Sequence, residues 1–137
     1  MTDTPDTELD IFVKSALGRK ARNPVLLDVR HLTSLADAFL ICHGTSNRQV
    51  IAIADHIQRD LKKQGIKALS VDGLQEGHWV LLDYGHVIIH VFYESIRGFY
   101  NLEGLWSDAR HIRTESMLEA VDCADDDGDV DESVFIE

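Results

Sequence analysis

Apolar residues recur along this chain on two periods, one helical and one extended. Leu9, Phe12, Val13, Ala16 and Leu17 follow the 3.6-residue spacing of one helix face and predict an amphipathic helix over about residues 5–20. Thr4-Pro5 suits its start, because a threonine side chain caps free N–H groups and proline tolerates the first helical position. Residues 25–30 and 38–43 are β-branched and apolar, and predict two strands. The few residues between them are too short for a parallel crossover, so these strands are expected as antiparallel neighbours. Val50, Ile53, Ala54, Ile57 and Leu61 then form the stripe of the longest helix. Ser46 and Gln49 stand at capping-box spacing before it, Lys62 and Lys63 fall in its last turn, and Gly65 follows where a left-handed residue ends a helix.

A third strand is expected over residues 68–72, followed by a polar turn at 73–77. Residues 78–84 and 86–93 alternate strongly and meet at Gly85, which makes them a hairpin. Residues 94–100 suit a short helix, and a further helical turn is expected through Met117, Leu118 and Val121. Together these elements predict a single α/β domain: one mixed five-stranded sheet with flanking helices.

Composition supports a folded body, since 45% of the 137 residues are hydrophobic. The net charge of −11 is unevenly spread. Ten acidic residues and no Lys or Arg lie between Glu115 and Glu137, and four more acidic residues lie between Met1 and Asp10. The stretch from Ile11 to Thr114 carries a net of about +3. The reading is therefore a domain over residues 1–113 and an acidic, mobile tail over 114–137. The overall acidity argues against wrapping nucleic acid, and the basic body weakens that argument without reversing it; no direct DNA binding is expected. No run approaches the roughly 20 apolar residues of a membrane span, and the acidic N-terminus resembles neither a secretory signal nor a transit peptide. Cys42 and Cys123 are far apart and read as reduced thiols of a cytoplasmic protein. The histidines are scattered and no Cys-x-x-Cys pair occurs, so neither a metal nor a cofactor is expected.

The hairpin carries the most informative chemistry. Alternation puts Trp79, Leu81, Asp83, Ile88, His90 and Phe92 on one face. Val80, Leu82, Tyr84, Val87, Ile89, Val91 and Tyr93 fall on the other, which is the core. Asp83 and His90 on neighbouring strands suit a hydrogen-bonded pair. That face is either a recognition surface, a structural Asp–His bond beneath a helix, or an acid–base pair. Catalysis is the weakest of the three, because no nucleophile with a base and no second carboxylate stands beside them. Phe99, Tyr100 and Trp106 add aromatic residues of the kind that anchor interfaces, or else pack the last helix onto the sheet.

The turn Cys42-His43-Gly44-Thr45-Ser46 leads from a strand into a helix and resembles the Gly-Ser turn of nucleotidyltransferases. Their paired metal-binding carboxylates are missing, so an ordinary capped helix is the plainer reading.

Several runs together resemble the ribosomal silencing factors, also called the Iojap family. They are Leu27-Asp28-Val29-Arg30, Ala36-Asp37-Ala38-Phe39-Leu40-Ile41-Cys42, Ser46-Asn47-Arg48-Gln49-Val50 and Gly77-His78-Trp79-Val80-Leu81-Leu82-Asp83-Tyr84-Gly85. His90-Val91-Phe92 and Phe99-Tyr100-Asn101-Leu102-Glu103-Gly104-Leu105-Trp106 complete the pattern, which covers about residues 6–110 and leaves the acidic tail outside it. The resemblance implies a nucleotidyltransferase-like fold without enzymatic activity, and a homodimer in the cytoplasm. It implies binding to the large ribosomal subunit through large-subunit ribosomal protein number fourteen, which blocks joining of the small subunit and represses translation. A role in large-subunit assembly is the alternative, and a nucleotide-handling enzyme a more distant one. By match to the family pattern, partner binding is carried onto Trp79, Asp83, Tyr84, His90, Phe92, Tyr100 and Trp106.

Overall fold

The computed structural model describes residues 7–118. The expectations made at Thr4-Pro5, at Val121 and for the acidic tail beyond 118 lie outside the described residues.

Helix α1 (Thr7–Leu17) leads into strands β1 (Arg22–Asp28) and β2 (Ala38–Gly44), which pair antiparallel as their short connection requires. Helix α2 (Asn47–Lys63) begins at Ser46, whose side chain accepts the Gln49 N–H at 3.1 Å. Gln49 reaches back one residue beyond the expected box: its Oε1 accepts the Thr45 N–H at 2.6 Å and the Thr45 hydroxyl at 2.8 Å. Gly65 sits at φ +85°, a conformation that ends the helix at little cost to glycine. Strands β3 (Ser70–Asp72), β4 (Trp79–Asp83) and β5 (Val87–Tyr93) follow, all antiparallel, with β4 and β5 forming the expected hairpin. β5 then lies parallel to β2, from Ala38 opposite Val87 to Gly44 opposite Tyr93.

The sheet has six strands in the order β3-β4-β5-β2-β1-β6, where five were expected. The extra strand, β6 (Arg110–Ile112), is three residues long and pairs with Leu26–Asp28 at the sheet edge. It is too short to show a period in sequence.

Each face of the sheet buries its own apolar cluster. On one face α1 and α2 cover Leu26, Leu40, Val80, Leu82, Ile89 and Val91, using Phe12, Val13, Val50, Ile53, Ile57 and Leu61. On the other, Leu27, Phe39, Ile41 and Phe92 are covered by a pair of short helices, α3 (Glu94–Tyr100) and α4 (Leu102–Leu105), and the chain after them. The period-2 alternation of β4 and β5 divides between these clusters as expected, including Tyr84 on the α1 side.

The chain after β6 packs on the body. Thr114 is fully buried, and the Ser116 N–H and hydroxyl donate to the two Asp10 carboxylate oxygens at 2.9 and 2.8 Å. Burial alone would raise the pKa of Asp10, but the hydrogen bonds from Thr114 and Ser116 outweigh it and hold the carboxyl below its usual range. Thr114 and Ser116 thereby tie this part of the chain to α1.

Candidate interaction surface

The second sheet face is built from interlocking rings. Trp79 on β4 lies over Phe92 on β5, with centroids 4.8 Å apart, and against Tyr100 of α3 at 4.9 Å. Its indole N–H donates to His90 Nδ1 at 3.1 Å. Phe39 of β2 meets the His90 ring edge-on at 5.2 Å and the Trp106 ring at 5.1 Å. Phe99 meets Tyr100 edge-on at 5.2 Å. These contacts run without a break from Trp106 through Phe39, His90 and Trp79 to Tyr100 and Phe99, and tilted or edge-on pairs of this kind suit aromatic quadrupoles.

The outer members of this chain face solvent. Phe99 is 79% exposed, Leu105 75% and Tyr100 51%, whereas Trp79 and Trp106 are half-buried. The local backbone explains why. Asn101 takes a left-handed conformation at φ 47°, ending α3 and capping α4, and its side-chain oxygen accepts the Gly104 N–H. A Cβ at Gly104 would run into the Asn101 side chain. The tight α3–α4 corner sets Leu102 on the sheet and leaves Phe99, Tyr100 and Leu105 outside.

Other expected site residues lie beneath this surface. Phe92 has no exposed area and His90 only 5%. Tyr84 is 7% exposed and packs on Phe12 on the opposite face, so its place at the hairpin turn does not free it. Asp83 is half-buried, and its carboxylate accepts the Gly85 N–H at 2.8 Å, fixing the turn. The expected Asp83–His90 hydrogen bond does not form. The register sets His90 opposite Leu81 and Asp83 opposite Ile88, and the imidazole takes Trp79 as its partner instead.

That partner fixes the tautomer of His90. An indole only donates, so Nδ1 accepts and the ring proton sits on Nε2, which is buried without a partner. Burial lowers the His90 pKa to about 4, which leaves the ring neutral near pH 7. A neutral, enclosed imidazole stiffens the surface and offers no proton to a solvent-borne substrate.

Arg97 is the residue that sequence reasoning missed. Its side chain is 7% exposed and lies under α3–α4. Nη2 and Nε donate to Glu103 Oε2 at 2.6 and 3.1 Å, and Nη1 donates to the Asn23 carbonyl at 2.8 Å and to His43 Nδ1 at 2.9 Å. Burial and the Arg97 charge together keep the His43 pKa below its ordinary value. A seven-residue helix shows no period that could have marked Arg97 as an inward position.

The strand-to-helix turn at Gly44 spends its polar groups on itself, through the bonds joining Thr45, Ser46 and Gln49. A Cβ at Gly44 would stand 3.2 Å from Gln49 Oε1, so the side chain already fills the cradle. The described residues hold no group of three His, Cys, Asp or Glu side chains placed to bind a metal. They also contain no helix long and apolar enough to cross a membrane.

The fold and this surface define an α/β domain that displays aromatic residues on a covered sheet face. The family model described as "Ribosomal silencing factor during starvation" matches residues 2–133, a longer stretch than the 6–110 that carried the resemblance. The chain is 39% identical over 110 residues to the ribosomal silencing factor RsfS of Halalkalibacterium halodurans, covering 80% of this chain and 94% of that one. It is 44% identical over 101 residues to RsfS of Bacillus subtilis, covering 74% and 86%. A crystal structure of a Chromobacterium violaceum protein superposes with a TM-score of 0.70 at 35% identity, over 72% of this chain and 82% of that one. The chain belongs to the ribosomal silencing factor family.

Proposed function

We propose that this protein represses translation by binding the large ribosomal subunit and occluding the face the small subunit must meet. Its contact is large-subunit ribosomal protein number fourteen, and its action is steric and non-enzymatic, in the cytoplasm and as a homodimer. The observation that carries the reading is the exposed apolar surface of Phe99, Tyr100 and Leu105, continuous with Trp79 and Trp106. Large rigid side chains of this kind bury much area at low entropic cost and dominate interface energetics.

Within this reading the residues divide by depth. Tyr100, Trp79 and Trp106 meet the partner, with Asp83 at the hairpin end. His90 and Phe92 hold Trp79 in place from below, and Tyr84 anchors the hairpin on the α1 face.

Co-sedimentation with isolated large subunits tests the assignment. Tyr100→Ala is expected to weaken binding by about 2 kcal/mol, roughly 30-fold, with the fold intact by circular dichroism. Arg59→Ala, on the opposite side in α2, is expected to bind as wild type. Unchanged binding by Tyr100→Ala would remove this surface from the interface.

A further inference from the structure

The cations of the body are unevenly satisfied. Arg30 and Arg110 face Asp28, Arg59 faces Asp55, and Arg97 faces Glu103. Of the cations outside these pairs, Arg19, Lys20 and Arg48 stand together. They share an open cavity of about 470 Å³ between the end of α1 and the first turns of α2, and no acidic side chain lines it. None of the three has an ion-pair partner among the described residues. Three like charges around one cavity repel each other, and an anionic occupant relieves that repulsion.

The chain carries such an occupant. Residues 119–137 contain nine acidic residues and no Lys or Arg. The hydrogen bonds of Ser116 to Asp10 fix the point where this segment leaves the body, on α1 itself. From Asp10 to Arg19 a helical rise covers about 13 Å. An extended chain from Leu118 to Asp125 spans about 23 Å, so the run Asp125-Asp126-Asp127 is long enough to arrive.

We propose that the acidic segment from Asp122 to Glu132 docks in cis on the cavity lined by Arg19, Lys20 and Arg48. The docked segment neutralises the cavity and screens it from phosphate polyanions. The cavity lies on the α1–α2 side, whereas the aromatic surface lies on the other sheet face, so docking leaves that surface open.

The full chain allows a direct test through its two cysteines. Cys42 is fully buried and its thiol is pushed up to about 12, so a nitroxide reagent attaches to Cys123 in the native protein. Paramagnetic broadening of backbone amides is then read by NMR. Broadening is expected to be strongest at residues 18–20 and 46–52. It is expected to disappear in the Arg19→Glu, Lys20→Glu, Arg48→Glu variant, and to fade in high salt as screening shortens the reach of the charges. Uniform broadening, or a pattern unchanged by charge reversal, would overturn the proposal. So would broadening that appears when labelled chains are mixed with unlabelled, isotope-enriched ones, which would place the segment on a second copy. Equal retention of polyuridylate with and without residues 119–137 would show the cavity open to polyanions and would also overturn it.

Discussion

Replacing Arg97 with alanine is expected to cost about 2–3 kcal/mol of folding stability, less than breaking a fully buried ion pair because the Glu103 side chain keeps 28% of its area in solvent. The size follows from what the guanidinium holds together. It joins α3 to α4 through Glu103 and to β2 through His43. It also reaches the Asn23 carbonyl, where β1 leaves its register with β2 between Arg22 and Val25. Alanine leaves the half-buried Glu103 carboxylate without its cation and frees the Asn23 carbonyl. Lysine cannot restore the set, because a single ammonium lacks the planar fork that serves three partners. The double variant Arg97→Met, Glu103→Leu removes both charges and is expected to regain much of the loss. Urea denaturation measures each value, and a loss below about 1 kcal/mol for Arg97→Ala would contradict the role given to this cluster. Because α3 and α4 carry the exposed aromatics, the single variant is also expected to lose subunit binding.

The second large effect is acid sensitivity set by His90. Its folded pKa of about 4 lies below the ordinary histidine value of 6.5. Between those values the unfolded chain takes up a proton that the folded protein refuses, so stability is full above pH 6.5 and falls as the pH drops toward 4. The total is about 3 kcal/mol at 1.36 kcal/mol per pKa unit. His43, whose pKa is also lowered, adds to the loss in the same direction. The lowered carboxyls of Asp28 and Glu103 act at lower pH, as their own protonation begins. The variant His90→Gln offers Trp79 an acceptor without titrating. Unfolding free energies measured from pH 7.5 to 4.5 are expected to lose about one proton of pH dependence in that variant. An unchanged slope would contradict the buried, neutral ring.

Much of the fold was legible because its strongest signals are local. The α2 stripe and the Ser46 cap depend on spacings within one element, and the alternation of β4 and β5 assigns faces before any partner is known. Register was not legible. Alternation places Asp83 and His90 on one face, but the register sets them two residues apart along neighbouring strands, about 7–8 Å, a gap a short carboxylate does not close. Trp79 stands at the same two-residue displacement from His90 on the other side, and its long indole spans that gap. Exposure was also hidden. Phe92 and Tyr100 look alike in sequence, yet one is sealed under Trp79 and the other stands at the α3–α4 corner. Arg97 and β6 escaped because short elements carry no period, and their burial comes from contacts distant in sequence.

The central claim is that the aromatic surface seats this protein where the small subunit must dock. Light scattering from purified ribosomal subunits, mixed after the large subunit has been incubated with excess protein, tests it directly. The wild-type protein is expected to suppress formation of joined ribosomes, and Tyr100→Ala at the same concentration is expected to leave joining intact. Joining that proceeds normally on large subunits shown by sedimentation to carry the wild-type protein would contradict the account.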